Sequence, residues 1–293
     1  MAPFLFYDNF YTYLTAEKRF SSHTTTAYLK DLEQFFDYSP VIEKEELIEI
    51  NTKIIRGWMV HLIEGGMSNK SVNRKLASLR TYFRVLLKEG VVETNPAKAV
   101  RGPKIEKRLP SFVEEMKQSD VIELEDWNER DAIIVELLYQ TGIRLSELVE
   151  LKLADVHNNV ISVIGKGNKA RKIPVSPELV NAIYKYRRNL STIFQKESSL
   201  ILTDRGGKLY SKFVYRRINY YLSNVANVQK RSPHVLRHTF ATHMLNNGAG
   251  LEVIKELLGH ANLSATQVYT HNSFAKLNSI YSQAHPRGRK NKE

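Results

Sequence analysis

The residues best suited to chemistry stand in the last third of the chain. Ser232-Pro-His-Val-Leu-Arg-His238 starts a helix, with serine at the cap and proline at the first helical position, and Gly248 stands where that helix should end. His234 and Arg237, three residues apart, then share a face beside the helix N-terminus, where N–H groups and the positive end of the dipole suit a phosphate. Leu257-Leu-Gly-His260 ends a second helix at Gly259 and leaves His260 just beyond it. Ser264 can cap a short helix that includes Tyr269, one of fifteen tyrosines, most of which must serve packing. Arg144 follows the glycine break of Thr141-Gly-Ile143 and has Glu147 three residues on, an ordinary ion-pair spacing. Lys166 sits in the turn Gly165-Lys-Gly-Asn168. Taken singly, each has a plain structural explanation: a buried histidine, a surface arginine, a polar hairpin tip.

Other chemistries find less support. His234, His238, His243, His260 and His271 gather in one region, but there is no His-Glu-x-x-His run, no cysteine and no acidic partner at ligand spacing, so no metal is expected. Gly165-Lys-Gly lacks the spacing of a nucleotide phosphate loop, and no cofactor is expected. The absence of cysteine removes disulfides and thiol nucleophiles and fits a reducing compartment, the cytoplasm by default. A formal net charge of +12, spread along the chain, favours a polyanionic partner, nucleic acid ahead of a membrane surface. The N-terminal stretch is aromatic but lacks the basic start and long apolar run of a signal peptide, and no run of about 18 apolar residues suggests a membrane span.

The elements that must position these residues divide into two halves. From Phe4 to about Ala99 the period is helical: Tyr28, Leu32, Phe35 and Phe36 recur at three- and four-residue steps, as do Leu76, Leu79, Phe83, Leu86 and Leu87. Gly65-Gly66 and Gly90 mark helix ends, so this half is expected to be a bundle of four or so helices. Its helix near Asn69 to Glu89 carries Lys70, Arg74, Arg80 and Arg84 among its polar positions, either a face for DNA phosphates or a solvated surface. Residues 103–110, charged and proline-flanked, form the expected linker between a domain of residues 1–102 and one of residues 111–293. In the second half, Ala132 to Gln140 is expected as an amphipathic helix, and Val160-Ile-Ser-Val-Ile164 with Arg171-Lys-Ile-Pro-Val175 as a β-hairpin with Lys166 at its tip. The fold class is therefore mostly α with a small β-sheet. Near the end, Phe274, Leu277, Ile280 and Tyr281 make an apolar stripe that could pack on its own domain or dock on a neighbouring molecule.

Order and company change the weight of these signals. Thr141-Gly-Ile-Arg-Leu-Ser-Glu-Leu148, Ile164-Gly-Lys-Gly-Asn-Lys169, Ser232-Pro-His-Val-Leu-Arg-His238, Leu257-Leu-Gly-His260 and Thr266-Gln-Val-Tyr-Thr-His271 together resemble the catalytic boxes of the tyrosine recombinase, or phage integrase, family, most closely the bacterial Xer recombinases. Thr24-Thr-Thr-Ala-Tyr-Leu-Lys-Asp-Leu32, Asn95-Pro-Ala97 and Pro103-Lys104 resemble the family's helical core-binding domain, less specifically. The resemblance implies a SAM-like N-terminal domain and an α+β catalytic domain that clamp DNA between them. It implies Arg144 and Arg237 as phosphate-holding arginines, Lys166 as the hairpin lysine, His234 and His260 as their histidine partners, and Tyr269 as nucleophile, with no departure at any of these positions.

Such a set makes chemical sense. Two guanidinium forks can hold the oxygens of a phosphodiester under attack without a metal ion. A phenol with a pKa of about 10 needs a base, a role for His234, while His260 donates to the phosphate and Lys166 to the leaving 5′ oxygen. The 3′-phosphotyrosine link keeps a phosphodiester, so religation needs no ATP. The resemblance further implies double-stranded recombination sites as substrate and four protomers on two sites, identical or shared with a paralogous recombinase. Its Xer side implies resolution of chromosome dimers at cell division, with a DNA translocase of the division machinery as activator. An integrase of a mobile element, a type IB topoisomerase or a non-catalytic DNA-binding accessory protein are the competing expectations.

Overall fold

The computed structural model describes residues 3–105, 112–114, 128–165, 169–225, 228, 231–259 and 271–288. They belong to two compact units, Met1–Arg108 and Leu109–Glu293. Each buries its own apolar cluster.

The first unit is helical: α1 (Tyr7–Thr12), which widens into a π-helical turn over Tyr13–Glu17, α2 (Ser22–Tyr38), α3 (Lys44–Glu49), α4 (Thr52–Glu64) and α5 (Asn69–Lys88). Side chains start three of them: Ser21, Asn51 and Ser68 accept from backbone N–H groups of the first turns of α2, α4 and α5. The α5 stripe of Val72, Leu76, Leu79, Phe83 and Leu86 packs against Leu29, Leu32, Phe35 and Phe36 of α2. Leu87, counted in that stripe from sequence, is instead exposed, one 100° step past Leu86. Between α2 and α5 the fully buried Asp31 takes bonds from Lys75 Nζ and Ser78 Oγ, both at 2.8 Å, and from Arg74.

After α5 the chain returns along it. Arg80 donates to the carbonyls of Ala97 and Val100, Asn73 to that of Pro103, and Asn69 to that of Lys104. The start of the expected linker is thus held on α5, and residues 106–110 lie outside the described residues.

In the second unit α6 (Glu129–Thr141) runs through the core, with Ile133, Ile134, Val135, Leu137, Leu138 and Tyr139 all buried. The amphipathic helix expected here is buried nearly all round. Its polar residues, which from sequence mark a wet face, are paired internally: Asp131 with Arg130 and Arg217, Glu136 with Arg287, and Gln140 with Glu136 and the Ser176 amide. Gly142 stops α6 at φ +58°, and a Cβ there would lie 2.7 Å from both Leu258 Cδ2 and Phe240 Cδ1, so only glycine fits.

After α7 (Leu145–Glu150) come β1 (Val156–His157), β2 (Val160–Ile164) and β3 (Ala170–Pro174), an antiparallel sheet in that order. Val160 pairs with Pro174 and Ile164 with Ala170, the expected hairpin, while the two-residue β1 was too short to show in the sequence pattern. Ile161, Val163, Arg171 and Ile173 point into the core. Four longer helices follow: α8 (Pro177–Asn189), α9 (Ser211–Val225), α10 (Pro233–Asn246) and α11 (Leu251–Leu258).

The last helix, α12 (His271–Ala284), packs on its own unit: Leu277, Tyr281 and Ala284 are buried, with Phe274 and Ile280 against the same core. His285 follows, fully buried, its ring stacked 4.9 Å from that of Tyr281 and its Nε2 3.3 Å from the Tyr139 carbonyl oxygen. Burial first, then the charges of Arg287 and His243, push its pKa down to about 3. The folded protein then holds fewer protons than the unfolded chain between the ordinary histidine value and about 3, so stability is complete above about pH 6.5 and falls with acidification through that window. Urea unfolding at pH 7 and pH 5 should show the His285→Phe variant losing about 2 kcal/mol less than wild type between the two. Equal losses would mean that His285 does not stay neutral.

Candidate active site

Two helix ends and one helix start build the site. Arg144 caps α7 immediately after the Gly142 stop, in extended backbone, and its amide donates to Glu147 Oε2 at 2.7 Å. Its side chain reaches Glu147 Oε1 at 2.8 Å through Nη1 and the Gly259 carbonyl at 3.1 Å through Nη2. Arg237 lies in the first turns of α10 and donates through Nη1 to the Gly142 carbonyl and through Nη2, at 2.8 Å, to that of Leu258. A third arginine, Arg171 of β3, donates through Nε to the Leu257 carbonyl at 2.8 Å. Three successive carbonyls at the end of α11, of Leu257, Leu258 and Gly259, therefore each receive a different arginine.

The physical reason is that a helix C-terminus leaves its last carbonyls without partners and carries partial negative charge, which suits guanidinium groups. From that point the chain enters the segment that carries His260 and Tyr269.

Electrostatically the cluster is left short of negative charge. Glu147 is buried, which by itself would raise its carboxyl, but bonds from Arg171, the Arg144 amide and the Arg144 side chain outweigh burial and hold it below the ordinary carboxylate range. Burial, with repulsion from Arg144, lowers the Arg237 pKa to about 10. It remains charged at neutral pH, next to Arg144, whose side chain is 37% exposed. Among the described residues one carboxylate stands against three guanidiniums, which leaves room for an anion, and a phosphodiester has the matching charge and planar oxygen pairs.

His234 stands in the first turn of α10, exposed, after Pro233. Ser232 occupies the N-cap position as expected but its hydroxyl makes no capping bond, being buried on the packed side of the turn. Of the six residues singled out from sequence, Arg144 and Arg237 converge on the carbonyls around Gly142 and Gly259, and His234 lies on the helix of Arg237. Lys166, His260 and Tyr269 lie outside the described residues.

In the first unit Lys70 and Arg84 are exposed on α5, and Arg74 is shared between solvent and Asp31. Arg80 departs from the expected phosphate face: it is half-buried and its donors engage the Ala97 and Val100 carbonyls. Sequence reasoning passed over Arg171 as a strand residue. The signal was present, because an arginine falls on the inward beat of the alternation Arg171, Ile173, Val175.

Comparison with known proteins agrees along the whole chain. Residues 107–276 match the phage integrase family and residues 7–90 match the N-terminal SAM-like domain of phage integrases. The tyrosine recombinase XerC of Thermodesulfovibrio yellowstonii is 39% identical, with 95% of this chain and 95% of that protein covered. The protein of the same name from Chlorobaculum parvum is 36% identical, covering 94% and 93%. A lambda integrase tetramer bound to a Holliday junction has the same fold, with a TM-score of 0.70 at 21% identity over 90% of this chain and 78% of that one.

Proposed function

Because the chain belongs to the phage integrase family, we propose that this Xer-type site-specific tyrosine recombinase cuts and rejoins DNA through Tyr269, with Arg144 and Arg237 holding the scissile phosphate. The observation that carries the reading is the convergence of those two arginines on the carbonyls of Gly142, Leu258 and Gly259, beside a net positive charge that only an anion would balance.

In this mechanism the Tyr269 phenol attacks phosphorus, its proton passing to His234, while the bond to the 5′ oxygen breaks and that oxygen takes a proton from Lys166. His260 donates to a non-bridging oxygen. The two guanidiniums, already seated on fixed carbonyls, need no reorganisation as charge gathers on the phosphate, which is where electrostatic preorganisation lowers a barrier. No metal ion is called for. Religation by a 5′-hydroxyl of the partner strand reverses the same step.

Residues 1–102 would bind the site beside residues 111–293, joined through residues 103–110, the two domains clamping duplex DNA, with Lys70, Arg74 and Arg84 on phosphates. Since the lambda integrase relative is a tetramer on a Holliday junction, the same assembly is proposed here on two sites, alone or with a paralogue. The similarity to XerC proteins over nearly their whole length supports a Xer-type role, and the role proposed here is chromosome-dimer resolution in the cytoplasm at cell division, with a DNA translocase proposed as activator.

The test is covalent capture. The wild-type chain is incubated in EDTA with genomic DNA of the cell that encodes it, denatured with detergent, and the protein-linked ends are sequenced. One enriched chromosomal locus with protein on 3′ ends is the expected result. Enrichment at the ends of a mobile element would replace the housekeeping role, scattered ends would indicate a topoisomerase, and DNA binding without any linked ends would leave an accessory protein.

A further inference from the structure

Arg171 is 5% exposed and points inward on β3. Its guanidinium joins several parts of the site. Nη1 and Nη2 grip the two Glu147 oxygens at 3.1 and 2.7 Å while Nε holds the Leu257 carbonyl. Two glycines close over it: a Cβ on Gly259, at φ +65°, would lie 3.0 Å from Nη1, and a Cβ on Gly165, at the base of the hairpin, 3.2 Å from the same atom. The first turn of α7, the hairpin base and the end of α11 are thereby brought against one side chain.

We infer that Arg171 is a positioning residue for the phosphate-holding arginines: by taking Glu147 in a two-pronged bond it leaves Arg144 and Arg237 with two net positive charges for the reacting phosphodiester. The inference rests on the recombinase reading above. Without Arg171, the one cation still bonded to Glu147 among the described residues would be Arg144, whose fork would turn onto the carboxylate and whose charge would be cancelled there. A phosphodiester brings one negative charge and gathers a second as the phenol attacks, so three guanidiniums against one carboxylate match the transition state, whereas two against one fall short. Lysine is a poor substitute, since one ammonium cannot span both carboxylate oxygens and the Leu257 carbonyl.

The experiment uses the full chain and a nicked duplex carrying the captured site, made with either a phosphate or a methylphosphonate at the scissile position. The methylphosphonate lacks one charged oxygen and so needs less positive charge. Arg171→Gln and Arg171→Lys are compared with wild type for melting temperature, duplex binding and single-turnover cleavage. Both should bind as wild type does and cleave the phosphate roughly 10- to 100-fold more slowly, Gln more than Lys. On the methylphosphonate the deficit should shrink to within about threefold. Wild-type cleavage by both variants, or an equal deficit on the two substrates, would overturn the inference, the second outcome being what a merely structural residue gives. If Arg171→Gln does not fold, Arg171→Lys is judged by the same comparison. A wild type that cleaves neither duplex overturns the recombinase reading itself, and this inference with it.

Discussion

Tyr269→Phe should bind its duplex with wild-type affinity and form no covalent complex, with cleavage reduced on the order of 10⁵-fold or more. The substitution removes one oxygen and leaves the ring, while the step loses the atom that must bond to phosphorus. The other chemical groups cannot replace it, because arginine, lysine and histidine in this set hold charge or move protons and leave no stable ester link to the 3′ end. The readout is a denaturing gel of a nicked suicide duplex in EDTA, where wild type shows a slow protein–DNA band and the variant shows none. A band of undiminished intensity from Tyr269→Phe would move the nucleophile to another residue and remove the basis of the proposed mechanism.

How far the site was legible in the sequence follows the range of the forces that build it. His234 and Arg237 lie within one helix turn, and the stops at Gly142 and Gly259 are local backbone events, so spacing and residue type suffice to find them. The hairpin of Val160–Ile164 with Ala170–Pro174 is equally local and falls within a residue of its expected bounds.

What the pattern concealed depends on tertiary approach. Arg171 meets the Leu257 carbonyl 86 residues away, and Glu136 meets Arg287 151 residues away. Nothing in a window of ten or twenty residues distinguishes such buried, paired charges from solvated ones, which is why α6 looked amphipathic. Arg80 illustrates the converse. A helix face can be recognised as basic, yet which of its cations remain available is decided by a returning strand of chain.

Arg237→Lys is the most informative change within the arginine set, because it keeps a cation and removes only its geometry. Arg237 serves the Gly142 and Leu258 carbonyls and stands beside Arg144, and an ammonium with three rotatable donors cannot hold both carbonyls and still present a planar pair to the phosphate. Cleavage should fall on the order of 10³-fold at neutral pH, the scale of losing a preorganised donor to a developing oxyanion. Duplex binding, which many phosphate contacts share, should change by less than about threefold. The pH profile adds a second signature. Burial and the neighbouring Arg144 lower Arg237 to about 10, yet a guanidinium keeps its proton through the working range, so up to about pH 9 the wild-type cleavage rate should show no loss traceable to this residue. A lysine starts about two units lower than arginine and meets the same burial and repulsion, so in the variant the cleavage rate should fall with rising pH from nearer neutrality. An Arg237→Lys enzyme with the wild-type rate at pH 7, or with no such fall, would show that this guanidinium does not carry the charge of the reacting phosphate.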